Sequence, residues 1–187
     1  MKDIPKETLI KAQEDDLESF ENIYKETSVF VYNVAFRIVN NKQDAEEVVQ
    51  DVFLNIHHNL KNFRFQSSFK TWVYRITVNC AINHVKKMAR EKNKIKEYGN
   101  NLISTGETSQ MLEIEKVNVG QEEIISSLLG ILDVDQRACI SLRNIEGLSY
   151  QEISDTLKIN INTVRTRLKR AREKLLNSGK KAIKNEL

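Results

Sequence analysis

Apolar residues recur along this chain at helical spacing almost from end to end. Leu17, Phe20, Ile23 and Tyr24 fit one face of a first helix. Phe30 to Val39 reads as an apolar second helix that stops at Asn40-Asn41. A third helix is predicted from about Lys42 to Leu60, and a fourth from about Ser68 into the basic stretch near Lys92. The pattern then decays. Residues 93–120 hold Gly99, Gly106 and Gly120 among Asn100, Asn101, Ser104, Thr105 and Thr108, the composition of a linker. Periodicity returns with Ile124, Ile125, Leu128, Leu129 and Leu132 and continues in short helices to the C-terminus. The only proline is Pro5, and alternating strand patterns with hairpin turns are absent. The expectation is an all-α protein with two small helical domains, 1–92 and 121–187, joined by a flexible linker over 93–120.

The most specific local pattern lies at 149–176. Ser149-Tyr150-Gln151-Glu152 has the form of a capping box, and Gly147 before it suits a helix C-cap. Ile153 and Leu157 mark the inward face of a short helix, and Asn160 can cap the next. In that next helix Val164, Leu168, Ala171 and Leu175 form one apolar stripe on an otherwise basic surface. Two helices, a tight turn and a basic second helix with a dry back describe a helix-turn-helix. A B-DNA major groove admits one helix, whose first turns meet the base edges. Asn162, Thr163, Arg165, Thr166, Lys169 and Arg170 are therefore the candidate contacts to bases or phosphates. The plain alternative is a solvated basic face on a terminal helix.

Two further surfaces stand out. On the third helix Val48, Val49, Val52, Phe53, Ile56 and Leu60 fall in one apolar arc. The opposite face carries Glu47, Gln50, Asp51, Leu54 and His58. Leu54 is a large apolar side chain among acids, which suits a protein partner with a basic rim, although isolated exposed leucines are common. On the fourth helix Phe69, Trp72, Val73, Ile76 and Cys80 make one apolar face, with Val78, Ile82 and Val85 roughly opposite. Between them runs a stripe of Arg75, Asn79, Asn83, Lys86 and Arg90, preceded by the loop Asn62-Phe63-Arg64-Phe65-Gln66-Ser67. Cations hold phosphates and aromatics stack on unpaired bases, so this stripe and loop suit nucleic acid. The competing reading is that Phe63, Phe65, Phe69 and Trp72 are core.

Net charge is only +3, but its distribution is polarised. Up to residue 60, 12 acids oppose 6 bases, whereas Asn162 to Lys184 carries nine bases against Glu173 alone. That asymmetry suits a polyanion at one end and a different partner at the other. Cys80 and Cys139 lie far apart in apolar patterns, which suits two reduced buried thiols, a disulfide being the alternative. Pairing Cys80–His84 with His57-His58 gives only weak zinc spacing, because Cys80 fits the apolar face and the histidines project in two directions. No cofactor or metal is expected. An enzyme is disfavoured, since no phosphate loop, nucleophile motif or metal cluster is found. With no apolar leader or membrane-length segment, the chain reads as cytoplasmic.

These segments together resemble sigma-70-type transcription factors, specifically the extracytoplasmic-function subgroup. Asp44 to Phe53 is similar to the family's core-polymerase-binding segment. Phe69 to Ile76, with Val78-Asn79, is similar to the segment that melts and reads the −10 element. Asp135-Gln136-Arg137, Glu146 to Ile153 and Thr163 to Arg167 are similar to its −35-reading domain. The resemblance implies that Glu47, Gln50, Asp51 and Leu54 dock on core RNA polymerase, at the β′ coiled coil. It implies that Asn62, Phe63, Arg64, Phe65, Trp72, Arg75, Asn79, Asn83 and Lys86 meet −10 DNA, the loop holding a flipped base. Asn162, Thr163, Arg165, Thr166, Lys169 and Arg170 would lie at −35. The polymerase β subunit, promoter DNA and an anti-sigma factor are the other implied partners. Asp133 stands near where the family usually has proline, Ser154 replaces a common helix-crossing alanine, and Asn162 replaces a frequent glycine. The rival reading is a helix-turn-helix regulator that binds operator DNA without polymerase. It explains the C-terminal half but not the ordered N-terminal segments.

Overall fold

A computed structural model describes residues 3–99 and 121–185. The predicted linker falls mostly on residues 100–120, outside the described residues. Among the described residues the secondary structure is helical, with no strand. The chain opens with α1 (Lys6–Gln13), a helix the sequence pattern did not single out. Its Gln13 Nε2 donates to the carbonyls of Leu60 (2.8 Å) and Phe63 (2.9 Å), tying α1 to the loop after the third predicted helix.

The first two predicted helices are one element, α2 (Leu17–Val39). The polar stretch between them contains no proline or glycine, and its Thr27 is buried, donating to the Ile23 carbonyl within the same helix. Asp16 caps α2 through the Ser19 N–H at 2.8 Å. Asn40 ends it in the left-handed conformation (φ 57°), which asparagine tolerates better than most residues. Asn41 then caps α3 (Lys42–Leu60). α4 (Phe69–Gly99) runs further than expected, past Lys92. Ser68 starts it, its hydroxyl accepting from the Thr71 N–H at 3.1 Å.

α2, α3 and α4 pack together. Ile23, Val31 and Ile38 meet Val48, Val52 and Ile56, and Val73 and Val78 join from α4, all fully buried. Burying each such side chain contributes roughly 1.5–3 kcal/mol. α4 is buried on two sides, as its pattern predicted: Phe69 and Val73 on one, Val78 and Ile82 on the other.

The C-terminal half comprises α5 (Gln121–Gly130), α6 (Val134–Ile140), a π-helical turn (Ser141–Ile145), α7 (Tyr150–Leu157) and α8 (Ile161–Asn185). The predicted capping box on α7 forms, and α6 has another. Asp133 and Gln136 make a reciprocal capping box on α6, and Ser149 and Glu152 make one on α7. Gly147 has φ +72°, a conformation glycine adopts without strain. α8 is not a short helix: it continues for 25 residues. Leu142, Ile153, Val164, Leu168 and Ala171 form the core here. It is continuous with the core of the first half. No helix among the described residues is long and apolar enough to cross a membrane.

Candidate nucleic-acid interface

The helix-turn-helix is built as its sequence requires. Asn160 Oδ1 accepts from the Asn162 N–H at 2.8 Å, starting α8. Val164, Leu168 and Ala171 are fully buried, which turns the opposite face outward. Asn162, Arg165, Thr166, Lys169 and Arg170 are exposed there, and Thr163 is half-buried. Asn162 Oδ1 accepts from Arg165 Nη1 at 3.1 Å, holding the arginine beside the helix start. Arg167 points elsewhere: its guanidinium pairs with Asp135 at 2.9 Å and buttresses α8 on α6. Ser154 is also accounted for. Its hydroxyl donates to the Ile159 carbonyl, closing the turn between the two helices.

The other candidate surface is concave. A groove of about 510 Å³ is lined by Asn55, Asn59, Asn62, Trp72, Ile76, Asn79, Cys80 and Asn83, together with Lys158 of the C-terminal half. Beside it lies a second hollow of about 410 Å³, lined by Asn62, Phe63, Arg64, Gln66, Ser67, Trp72 and Arg75. The predicted loop and the predicted stripe thus come together, with Trp72 and Asn62 lining both hollows. The aromatic residues divide. Phe63 and Phe69 are buried and serve as core, while Trp72 is half-buried and Phe65 exposed. Phe63 packs at 5.1 Å from Trp72 and 4.9 Å from Phe65, so it holds the Trp72 ring that lines both hollows while itself lining the second. Phe65 has φ +58°, a left-handed conformation uncommon for a bulky residue. Asn79, Asn83 and Lys86 are exposed, and Arg75 is half-buried.

Burial pushes the Cys80 thiol up to about 11, with Asp51 adding to the shift, so at neutral pH it is an un-ionised lining group. His84, one turn further, is buried and meets Asp44 Oδ1 at 3.2 Å. His57 packs against Phe20 instead, away from that pair. Residues missed by sequence reasoning include Asn55 and Asn59. They lie on the third helix, a turn apart, and their place in the groove depends on how α3 crosses α4.

A third surface lies on α3. Glu47, Gln50, Asp51 and Leu54 are all exposed, Leu54 at 60%. They present acids around an apolar side chain, opposite the buried arc of Val48, Val52 and Ile56.

Residues 23–91 match the Sigma-70 region 2 family model, and residues 122–175 match Sigma-70, region 4. The chain is 31% identical to the ECF RNA polymerase sigma-E factor of Haemophilus influenzae over 89% of its length and 90% of that protein's. It is 34% identical to the sigma-E factor of Escherichia coli K12, covering 72% of this chain and 73% of that one. In fold it resembles the sigma factor RpoE from Bartonella quintana, solved in complex with the anti-sigma factor NepR. That likeness has a TM-score of 0.60 at 19% identity, over 86% of this chain and 96% of the other. Two region models in order, and relatives alike across nearly the whole chain, establish that the protein belongs to the extracytoplasmic-function group of the sigma-70 family, transcription initiation factors that work with RNA polymerase.

Proposed function

We propose that this factor docks on core RNA polymerase through the α3 face and reads a promoter with two separate surfaces. Glu47, Gln50 and Asp51 would meet a basic rim on the β′ coiled coil, with Leu54 inserted among apolar side chains at the centre. Trp72, Arg75, Asn79, Asn83 and Lys86 would hold −10 DNA, the cations taking phosphates and Trp72 stacking on an exposed base. The hollow bounded by Asn62, Arg64 and Trp72 would receive a base flipped from the non-template strand. Extruding a base costs a few kcal/mol, which contacts in the hollow must offset. Asn162, Thr163, Arg165, Thr166, Lys169 and Arg170 would lie in the major groove at −35. The factor would work in the cytoplasm, without catalysis of its own. An anti-sigma factor is its expected regulator, and the fold likeness to a sigma factor captured with one supports this.

The observation that carries the reading is the pairing of an exposed basic helix face with a concave, aromatic-lined groove on the same chain. The first suits duplex DNA and the second suits unpaired strands. A conventional operator-binding regulator needs only the first. In-vitro transcription with purified core polymerase on a promoter library tests the whole reading. The expected result is start sites that appear only with this protein and share two spaced elements. Binding to duplex DNA with no polymerase-dependent initiation would overturn it.

A further inference from the structure

The hollow proposed to receive a base is walled on one side by a loop with little rigidity of its own. Arg64, Gln66 and Ser67 line the hollow, yet among the described residues no backbone hydrogen bond is made by residues 64–67. The Ser68 hydroxyl anchors the far end of the loop, where α4 begins. The near end is anchored from outside, by α1.

Gln13 Nε2 places its two hydrogens on the Leu60 carbonyl at 2.8 Å and the Phe63 carbonyl at 2.9 Å. These bonds straddle a turn closed by the Asn62 N–H on the Asn59 carbonyl and the Phe63 N–H on the Leu60 carbonyl, 3.0 Å each. The turn delivers Phe63, whose ring packs on Trp72. Further along, the Lys6 ammonium lies 5.0 Å from the centre of the Phe65 ring. Phe65 is left-handed at φ +58°, a backbone that surrounding contacts must hold. Asp15 also reaches Lys61 at 2.6 Å, but both side chains are exposed, so this third tie is weak. α1 is itself well seated, with Leu9 and Ala12 buried in the core.

Resting on the base capture proposed above, we infer that α1 sets the shape of that hollow from outside it. Gln13 is the positioning residue and Lys6 a lesser second brace. Neither lines either hollow, so both act through the loop and not on DNA. Telling one base from another by hydrogen bonds needs groups held to within about 0.5 Å. A loop without backbone bonds of its own meets that demand only when its ends are fixed. Glutamine suits the task because one amide nitrogen can satisfy two carbonyls at once.

The test is transcription by core polymerase with the full factor on promoters that differ at one position. One set varies the −10 base proposed to enter the hollow, and the other varies a −35 base pair. The readout is the ratio of preferred to other bases, which does not depend on the active fraction of a preparation. Gln13→Met should lower the −10 ratio roughly five- to tenfold, the worth of about one net hydrogen bond, and leave the −35 ratio unchanged. Lys6→Ala should lower the −10 ratio roughly two- to threefold, as an exposed cation–ring contact allows. In the free factor, Gln13→Met should raise acrylamide quenching of Trp72, the chain's single tryptophan, as Phe63 loosens beneath it. Lys11→Ala, on the exposed side of α1 and paired with Glu7, should change none of these. Should Gln13→Met fail to fold, Lys6→Ala decides by the same ratio, since Lys6 is exposed. An unchanged −10 ratio overturns the inference. So does a loss of activity that leaves both ratios as in wild type, which would make Gln13 a brace for stability alone. A wild-type factor with no preference at any −10 base overturns base capture itself, and Trp72 quenching then still decides whether α1 holds the hollow.

Discussion

The two surfaces proposed to meet nucleic acid are made in opposite ways. The α8 surface is convex, lies on one helix, and is complete within some 20 consecutive residues: a cap at Asn160, a buried stripe, and exposed polar and basic side chains. The α4 surface is concave and needs three segments: the stripe, the loop before it, whose buried Phe63 packs on Trp72, and the α3 asparagines. A duplex presents base edges in a groove that one helix fits, so a local motif suffices. A displaced strand must have its bases held individually, which calls for hollows. The lesson is that duplex reading can be written locally, whereas strand capture is a tertiary property.

The largest expected effect falls on what both surfaces depend on. Leu54→Asp should weaken polymerase binding on the order of 100-fold, about 2–4 kcal/mol for a central apolar contact. Leu54 is mostly exposed, so thermal stability should change by less than about 0.5 kcal/mol. Titration against core polymerase, with a melting curve as control, checks this. Normal affinity would move the docking surface elsewhere, and the two DNA surfaces would lose their common carrier.

The next substitutions separate the surfaces. Trp72→Ala should impair promoter opening by about 1–3 kcal/mol per lost stack while sparing initial recruitment. Because Trp72 also packs on Phe63 and Phe69, exposed Asn79→Ala is the cleaner companion, with the same direction and a smaller size. Permanganate reactivity of the opened strand is the measurement, and unchanged footprints would return the groove to plain surface. Arg165→Ala and Lys169→Ala should instead lower promoter occupancy by about 1 kcal/mol or somewhat more each, with core binding intact. Whichever contacts a phosphate should also reduce the salt slope by about 1. Equal loss of core binding would show that α8 is not a separate surface.

How far the sequence was legible follows the same division. Capping boxes, apolar stripes and the buried arc of α3 are local, and Ser149, Gly147 and Val164 stand where their pattern predicts. The break proposed within α2 was wrong because polar Thr27 looks like a turn until its hydroxyl is seen bonded to the Ile23 carbonyl in the buried interior. The run of α4 beyond Lys92 was missed because its last turns are polar, and periodicity reports burial rather than helix. Phe63 and Phe65 could not be told apart by spacing. The left-handed backbone at Phe65 leaves it at the surface while Phe63 is enclosed. Nothing local places Lys86, Asp135 and Arg167 in one cluster, since that depends on how the halves meet.

The smallest effect sits where the two surfaces approach. Glu152 closes the capping box of α7, accepting from the Ser149 N–H at 2.8 Å, and Arg75 of α4 lies near enough to act on its charge. The Ser149 backbone N–H, then its hydroxyl, and more weakly Arg75, hold the Glu152 carboxyl below its ordinary value. A carboxylate lowered on folding stabilises fully above the unfolded value and loses that contribution as pH falls through the folded one. Glu152→Gln keeps a side chain able to cap but removes the charge. The variant should melt slightly below wild type at pH 7, and the two should converge as the pH is lowered toward 3. Ser149→Ala should cost about 1 kcal/mol by loss of the cap. In the double variant with Arg75→Gln, the part of the Glu152 effect that comes from α4 should vanish while the part from Ser149 remains. An Arg75-independent effect would mean that the halves touch without sharing charge there, and that Glu152 serves its own helix alone.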